Sequence, residues 1–328
     1  MWTLQTHLAR PISVKCARVL PAEAPWEAVG GGGLWYLVSE MNRVRKAVIP
    51  VAGFGTRMLP AAKAVPKELL PVLDRPTIQY VVEEAARGGI NDVLLITSRE
   101  KRAIEDHFDR NRELESRLKG NGQESLLASI AELSEQVQIH CVRQNEPRGL
   151  GDAIARAEHH VNGEPFLCML GDTLFSGHPG PARQLADAYS HLGTAIIGLE
   201  EVPLENVGRY GVVSGEMIGE GLMRIDHLVE KPAREKAPSR LAIAARYVLT
   251  GGIFDCLRKT AAGKNGEIQL TDALKLQLEH EPIHGVVLKA QRHDIGNPVD
   301  WLKTNLLLAS REPALWAAIE PMLRGLLG

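Results

Sequence analysis

A glycine-rich run followed by several cations carries the clearest chemistry in this sequence. The run is Gly53-Phe54-Gly55-Thr56-Arg57-Met58-Leu59-Pro60, and Lys63 and Lys67 follow it closely. Two glycines let the backbone approach a ligand because no Cβ intervenes, and the loop N–H groups can then donate to phosphate oxygens. Arginine suits a bidentate grip on phosphate, whereas lysine acts as a point charge that can follow a moving phosphoryl group. The run therefore predicts a phosphate-binding loop.

The segment before this loop predicts where the loop lies in the fold. Residues 47–52 form an apolar stretch that is typical of a buried strand, so the loop follows the strand's carboxyl end, where open α/β sheets bind ligands. The common phosphate loops do not fit. A Walker A loop needs Gly-Lys-Ser/Thr, and a dinucleotide fingerprint needs a third glycine where Met58 stands. An ordinary strand-to-helix turn with a basic rim is the plainer alternative.

The rest of the chain predicts the elements that position this loop. From Arg45 onward, strand-like runs such as residues 92–97, 138–142 and 165–170 alternate with helix-like segments such as residues 76–88. This alternation predicts an α/β fold, with a Rossmann-like, doubly wound, mainly parallel mixed sheet. Residues 113–136 predict a charged helical excursion at the surface. After Thr194 the pattern favours shorter strands and loops that are added to the same sheet.

Composition limits the class of partner. The 328 residues suffice for one large α/β domain or two ordinary ones, and a net charge of −2 with 45% hydrophobic residues argues against disorder and against a nucleic-acid surface. We expect a small-molecule partner, no nucleic acid and no membrane, since no segment approaches the ~20 apolar residues that cross a bilayer. The four cysteines are widely spaced and favour a reducing, cytoplasmic location.

The two ends of the chain differ from the middle. Residues 1–42 contain a Gly30–Gly33 run and few acidic residues, and we interpret them as an N-terminal extension that is disordered or lies upstream of the true start at Met41. A transit peptide is the alternative, although serine is not enriched. Residues 43–311 are expected to form a single catalytic domain, and residues 312–328 a C-terminal helix.

A carboxylate follows the strand-like run of residues 165–170. Gly171-Asp172 comes directly after Leu170, and a carboxylate at a strand's carboxyl end beside a phosphate loop is placed to hold Mg²⁺. Aspartate is also a common turn residue after a strand, so the pair alone leaves both interpretations open.

The composite string from Gly53 to Pro71 resembles the signature of the sugar-phosphate nucleotidyltransferases. Its Pro66-Lys67-Glu68 ending is closest to the bacterial UTP-glucose-1-phosphate uridylyltransferases of that family, and the resemblance extends to about Ser310. It implies transfer of a uridylyl group from UTP to glucose 1-phosphate by direct in-line attack, giving UDP-glucose and pyrophosphate. It also implies that Mg²⁺ is the cofactor and that Arg57, Lys67 and Asp172 are the catalytic residues, with Asp172 as a metal ligand.

The resemblance extends to the binding residues. It assigns nucleotide binding to Ala52, Gly53, Gly55, Thr56, Gln144 and Gly149. The Gln144 amide both donates and accepts, which suits the alternating edge of a pyrimidine. One departure is Asp152, where the family usually has histidine.

Sugar-phosphate binding is assigned by the same resemblance to Gly211, Glu230 and Lys231. Glu230 and Lys231 are adjacent, so in a regular strand they would point to opposite faces, and both can face one ligand only if the strand ends or bulges there. Asp294, in an Asp-x-Gly element before Pro298, is the second candidate metal ligand. It could equally be a helix-start carboxylate. The string from Gly266 to Ala273 also resembles the family, but Leu270, Leu274 and Leu278 favour a mainly structural helix face.

Two alternatives remain open from the sequence. One is a thymidylyltransferase or an enzyme for another sugar 1-phosphate, because fold and motif do not determine specificity. The other is a non-catalytic regulatory paralogue, although Thr56 and Arg57, which such relatives lose, are intact here. The resemblance further implies a homodimer or homotetramer, to which the apolar residues 315–327 could contribute a helix face.

Overall fold

The strands of the computed structural model define the framework of the protein. The structure describes residues 43–263 and 266–327, so the predicted N-terminal extension lies outside the described residues. The strands are β1 Lys46–Pro50, β2 Pro71–Val72, β3 Arg75–Pro76, β4 Asp92–Thr97, β5 Gln138–Arg143, β6 Phe166–Met169, β7 Thr173–Ser176, β8 Ala195–Glu201, β9 Gly211–Gly219, β10 Leu222–Glu230, β11 Leu241–Leu249, β12 Ile283–Val287 and β13 Gln291–Asp294.

Nine strands of the described residues form one mixed sheet in the order β5-β4-β1-β6-β11-β8-β12-β10-β9. Strands β5, β4, β1 and β6 pair in parallel, as do β8 and β12. The remaining neighbours pair antiparallel, because β10 and β11 run against the other seven strands. A separate two-stranded ribbon pairs β7 with β13 and places Thr173 opposite Asp294.

Helices cover both faces of this sheet. They are α1 Thr77–Arg87, α2 Arg102–Phe108, α3 Arg112–Gly120, α4 Ala128–Gln136, α5 Leu150–Ala155, α6 Glu158–Val161, α7 Pro181–Leu192, α8 Gly252–Lys259, α9 Leu270–Leu278, α10 Pro298–Ala309 and α11 Pro313–Leu327. Short 3₁₀ helices include Thr56–Met58, Lys67–Leu69 and Glu124–Leu127.

The core consists of two main layers separated by the sheet. Along β1, Val48 packs in the layer with helices α5, α8 and α9, whereas Ala47 and Ile49 pack in the layer with α1 and α7. Such strands are buried on both faces and therefore read as continuous apolar runs. This explains why the central parallel strands were predictable from the sequence, and the α/β fold is confirmed.

One expectation about the later part of the chain is wrong. Most strands after Thr194 are not shorter: β9, β10 and β11 each have nine residues, whereas β6 has four, and the short ones are β12 and β13 with five and four. The last five residues of β9 are exposed, and buried and exposed residues are mixed along β10, which weakens the apolar signal that marks the central strands. The expectation that they extend the same sheet is confirmed.

Other features agree with the sequence. Residues 113–136 form α3, a 3₁₀ helix and α4, with largely exposed side chains among those described. Cys168 and Cys256 are buried, but Cys141 is exposed on the edge strand β5. Across the described ranges, no helix combines the length and apolar character that a membrane span requires.

Candidate functional site

The glycine loop follows β1 and turns back towards the sheet. Gly55 has φ +66°, in the left-handed region, and a Cβ there would lie 3.2 Å from the side chain of Lys67. A larger residue would therefore be strained and would crowd this lysine. The N–H groups of Gly53, Phe54 and Gly55 have no acceptor among the described residues. They are available to a ligand, as the predicted phosphate loop requires.

Lys67 and Asp172 form an ion pair at the base of the site. The distance between Lys67 Nζ and Asp172 Oδ2 is 2.5 Å, although the two residues are 105 positions apart. Burial alone would lower the pKa of Lys67, but the carboxylates of Asp172 and Glu68 outweigh burial and raise this pKa. Burial alone would raise the pKa of Asp172, but Lys67 and Arg57 hold it below its usual value. Both groups are therefore charged near neutral pH.

A second, more deeply buried ion pair supports Lys67. Glu68 is 2% exposed and Lys101 5% exposed, and Lys101 Nζ lies 2.5 Å from Glu68 Oε2. Burial raises the pKa of Glu68 and lowers that of Lys101, whereas each partner opposes the shift of the other. The pair attaches the 3₁₀ helix Lys67–Leu69 to the segment before α2, so the backbone that carries Lys67 is fixed.

A cavity of about 500 Å³ brings about half of the predicted site residues together. Six of them contribute to its wall: Arg57, Asp172, Gly211, Glu230, Lys231 and Asp294. Lys67 reaches the same wall through its bond to Asp172. Ala52, Gly53, Gly55, Thr56, Gln144 and Gly149 lie outside this wall. The mixture of cations and carboxylates suits a ligand that carries phosphates, a metal ion and hydroxyl groups.

The end of β10 resolves the question raised by the adjacent Glu230 and Lys231. The strand ends at Glu230, and Lys231 has φ +45°, so the chain turns and both side chains line the cavity. Gly211 pairs with Glu230 in the register of β9 and β10. A Cβ on Gly211 would lie 2.8 Å from Ile243 Cδ1 and 3.2 Å from Glu230 Oε2, so a larger residue would displace these side chains.

Asp294 and Asp172 both contribute to the cavity wall, and carboxylate oxygens are ligands that suit Mg²⁺. The Ile295 N–H donates to the Asp172 carbonyl at 3.2 Å, and both carboxylates line the cavity. Asn297, and not Asp294, caps helix α10 by accepting from the Asp300 N–H. Within the described ranges, no group of three or more His, Cys, Asp or Glu residues could hold a metal. Two carboxylates suffice for Mg²⁺, which usually retains waters and binds substrate phosphates.

The candidate base-binding residues are held by Asp152. Gln144 and Asp152 are 5% and 6% exposed, and Gln144 Nε2 donates to Asp152 Oδ2 at 2.6 Å and to the Gly149 carbonyl at 3.3 Å. Arg156 holds the other Asp152 oxygen at 2.7 Å. Because a carboxylate only accepts, the amide nitrogen must face Asp152. The amide nitrogen is therefore used within the protein, and only the amide oxygen has no partner among the described residues. Of the expected donation to and acceptance from a base, acceptance by this oxygen remains.

Several cavity residues were not assigned from the sequence. Arg292 and Arg209 lie on the ring of Tyr210, with their Cζ atoms 4.3 Å and 5.6 Å from the ring centroid. All three line the cavity. Arg209 and Tyr210 directly precede Gly211, and Arg292 lies two residues before Asp294, but a lone arginine gives no motif. Their proximity to assigned residues was the only available signal.

The first turn of α9 also belongs to the cavity. The Thr271 hydroxyl donates to Glu230 Oε2 at 2.7 Å, and Gln269, Leu270 and Thr271 line the wall. The interpretation of this segment as mainly structural is therefore incomplete. Leu270 and Leu274 do enter the core, but the start of the helix faces the cavity. Its resemblance to the family signature was the signal that could have identified it.

Comparison with known proteins places these residues within a family. The model of the nucleotidyl transferase family matches residues 46–311. UTP–glucose-1-phosphate uridylyltransferase YngB from Bacillus subtilis is 45% identical over 274 residues, which cover 84% of this chain and 92% of that protein.

Solved structures agree with this match. A UTP-bound UGPase from Acinetobacter baumannii has 36% identity and a TM-score of 0.79, with 85% of this chain and 98% of that chain covered. A UDP-glucose pyrophosphorylase complexed with UDP-glucose has 39% identity and a TM-score of 0.76, with coverages of 82% and 99%.

Proposed function

The chain belongs to the nucleotidyl transferase family, and we propose that it transfers a uridylyl group from UTP to glucose 1-phosphate, forming UDP-glucose and pyrophosphate. The observation that carries this proposal is the shared cavity. Arg57, Asp172 and Asp294 lie on its wall together with Glu230 and Lys231, so groups suited to a triphosphate and to a sugar phosphate face one space. Similarity over most of the chain to uridylyltransferases supports the choice of substrates.

In the proposed reaction, a phosphate oxygen of glucose 1-phosphate attacks the α-phosphorus of UTP in line with the leaving pyrophosphate. The nucleophile is already anionic, so the protein needs no covalent intermediate and contributes positioning and charge stabilisation. The free N–H groups of the glycine loop hold the triphosphate, and Arg57 stabilises the leaving pyrophosphate. Lys67 and Lys231 balance the charge on the reacting phosphates. Ala52 and Thr56, at the two ends of the loop's glycine segment, complete the proposed nucleotide site.

Glu230 orients the acceptor sugar. Thr271 donates to Glu230 Oε2, which fixes the carboxylate so that its remaining lone pairs can accept from sugar hydroxyls. Gly211 leaves space for a sugar ring at this wall. On the nucleotide, the Gln144 oxygen accepts from the base N–H, and the Gly149 N–H is the second proposed base contact.

We propose Asp172 and Asp294 as the ligands of Mg²⁺. When bound, Mg²⁺ neutralises phosphate charge and orients the reacting groups. Asp172 keeps its charge because Lys67 and Arg57 lower its pKa, so it can act as a ligand near neutral pH. Addition of a chelator should therefore abolish turnover, and added Mg²⁺ should restore it.

The test is release of pyrophosphate by the purified protein with Mg²⁺. UTP, dTTP and ATP are each combined with glucose 1-phosphate and with galactose 1-phosphate. Release chiefly from UTP and glucose 1-phosphate is the expected result. Preference for dTTP or for galactose 1-phosphate would reject the proposed specificity and favour another sugar nucleotidyltransferase. No release from any pair, by protein with a cooperative thermal unfolding transition, would favour the regulatory paralogue.

We further propose that residues 43–311 are the catalytic domain and residues 312–328 a C-terminal helix, for action in the cytoplasm. Cys141, Cys168 and Cys256 are unpaired, which suits a reducing compartment. We propose a homodimer or homotetramer in which α11 contacts a second copy, because Met322 and Leu326 on this helix are 60% and 75% exposed. Light scattering should give a multiple of the 35.9 kDa chain mass, and Leu326→Gln should reduce it.

A further inference from the structure

Arg246 is a fully buried arginine in the strand β11. It is 0% exposed and is the largest of the fully buried side chains among the described residues. Glu84 of α1 binds it through two bonds, with Nε–Oε1 3.0 Å and Nη2–Oε2 2.7 Å. A buried ion pair is weak evidence for stability, because apolar residues of similar volume often stabilise as well or better. The other contacts of the guanidinium therefore need an explanation.

These contacts surround the turn that carries Asp172. Arg246 Nη1 donates to the Leu170 carbonyl at 3.3 Å, and Nη2 donates to the Thr173 carbonyl at 2.9 Å. The two carbonyls lie on either side of Gly171-Asp172. Nη1 also donates to the Ala245 carbonyl at 3.0 Å, and this carbonyl accepts the Leu170 N–H at 3.2 Å. One side chain thus ties together both ends of the turn and the neighbouring strand.

The backbone of β11 is irregular at the point where Arg246 makes these contacts. The pairing of β11 with β8 is irregular between Ile243 and Tyr247, and Ala245 has φ +58°. Left-handed backbone at a residue other than glycine costs about 1–2 kcal/mol, so this conformation must be held by its surroundings. On the other side of the turn, the Arg246 guanidinium lies 4.8 Å from the centroid of Phe175, the second residue after Thr173.

We propose that Arg246, held by Glu84, is a positioning residue that fixes the backbone on both sides of Asp172 for nucleotidyl transfer. Among the described side chains, only Lys67 is hydrogen-bonded to the Asp172 carboxylate, and that bond holds one oxygen. The direction of the carboxylate therefore depends on the turn itself. If the turn shifted, Asp172 would leave its place between Lys67 and the cavity. This inference rests on the proposed role of Asp172 in the reaction.

The main variant is Arg246→Lys in the full chain, assayed with Mg²⁺, UTP and glucose 1-phosphate. Lysine can keep the charge pair with Glu84 but cannot reach the Leu170 and Thr173 carbonyls at once, because it lacks the planar fork. We expect kcat to fall about 10-fold to 100-fold, because small displacements of groups in an active site have effects of this size. KM for UTP should change less than about threefold, since the lost interaction acts on the transition state.

The control for general destabilisation is Ile283→Ala. Ile283 is 0% exposed and begins β12, in the core layer with α5, α8 and α9, whereas Arg246 bonds Glu84 on the side of α1. Truncating it should lower stability without moving the Asp172 turn, so kcat measured below the unfolding transition should be retained. The double variant Glu84→Leu, Arg246→Met adds a sharper comparison. Apolar replacement of a buried pair is often neutral for stability, so a low kcat in a stable double variant is the expected result.

Hydrogen exchange supplies a readout that does not depend on activity. Peptides that cover residues 166–176 should exchange faster in Arg246→Lys than in Ile283→Ala. The proposal is overturned if Arg246→Lys has the kcat of Ile283→Ala, or if exchange in this segment is unchanged. If the wild-type protein releases no pyrophosphate, the proposed function fails. Faster exchange in Arg246→Lys would then still support the role of Arg246 in fixing the turn around Asp172, and unchanged exchange would reject it. If Arg246→Lys does not fold, Glu84→Gln is the milder variant, with the same signs expected.

Discussion

Replacement of Asp172 by asparagine tests the centre of the proposed mechanism. The change preserves the size of the side chain but removes the charge that faces Lys67 Nζ at 2.5 Å. It also removes one of the two carboxylates proposed for Mg²⁺. We expect kcat/KM to fall by at least about 1,000-fold, which corresponds to about 4 kcal/mol of lost transition-state stabilisation.

The effect on stability should be much smaller than the effect on catalysis. Removing one partner of a buried ion pair costs about 3–5 kcal/mol when the other charge is left unpaired. The Asp172 side chain is 22% exposed, and asparagine retains an oxygen that can accept from Lys67. We therefore expect the free energy of unfolding to fall by only about 1–3 kcal/mol. The variant should be folded at the assay temperature.

The assay compares pyrophosphate release and thermal unfolding for the wild type, Asp172→Asn and Asp255→Asn. Asp255 is a suitable matched control because its side chain is 69% exposed and pairs with Arg258 at the surface, where ion pairs contribute little. The control should behave like the wild type in both measurements. Turnover by Asp172→Asn within tenfold of the wild type at saturating Mg²⁺ would refute the assignment of Asp172. A variant that does not fold would show that the magnitude estimated for the ion pair is wrong.

Three further predictions follow from particular contacts. In Asp152→Asn, the new amide can donate as well as accept, so the Gln144 amide can reverse. The preference for UTP over CTP should then fall by about tenfold. An unchanged ratio of the kcat/KM values for UTP and CTP would contradict this role of Asp152. Gly55→Ala puts a Cβ where φ is +66°, so it should cost about 1–2 kcal/mol of stability and raise KM for UTP; equal KM values would contradict the close packing of this loop. Burial, with a smaller contribution from a nearby arginine, lowers the pKa of His284 from 6.5, so the unfolded chain binds more protons than the folded protein. Stability is therefore lost as the pH falls below about 6.5. Urea titrations should find that His284→Gln loses less stability than the wild type in this range.

The sequence by itself determined the central elements of the fold. Two strands, the one before the glycine loop and Asp92–Thr97, were predictable because strands buried on both faces are continuously apolar. Helix α1 was predictable from its local periodicity. Much of the candidate site was also predictable, since the glycine loop, Asp172 and Glu230-Lys231 lie in short strings. Strands β9 and β10 were harder because their exposed residues dilute the apolar pattern.

Tertiary structure decided how those strings combine. Lys67 meets Asp172 across 105 positions because β6 pairs beside β1. Arg246 meets Glu84 across 162 positions because β11 is inserted antiparallel beside β6. The roles of Tyr210 and Thr271 likewise arise only where separate segments enclose the cavity. A sequence pattern records interactions between residues a few positions apart. The strand order and the irregular backbone at Ala245 are set by packing of the whole sheet, so the contacts that fix Asp172 could be found only in the folded chain.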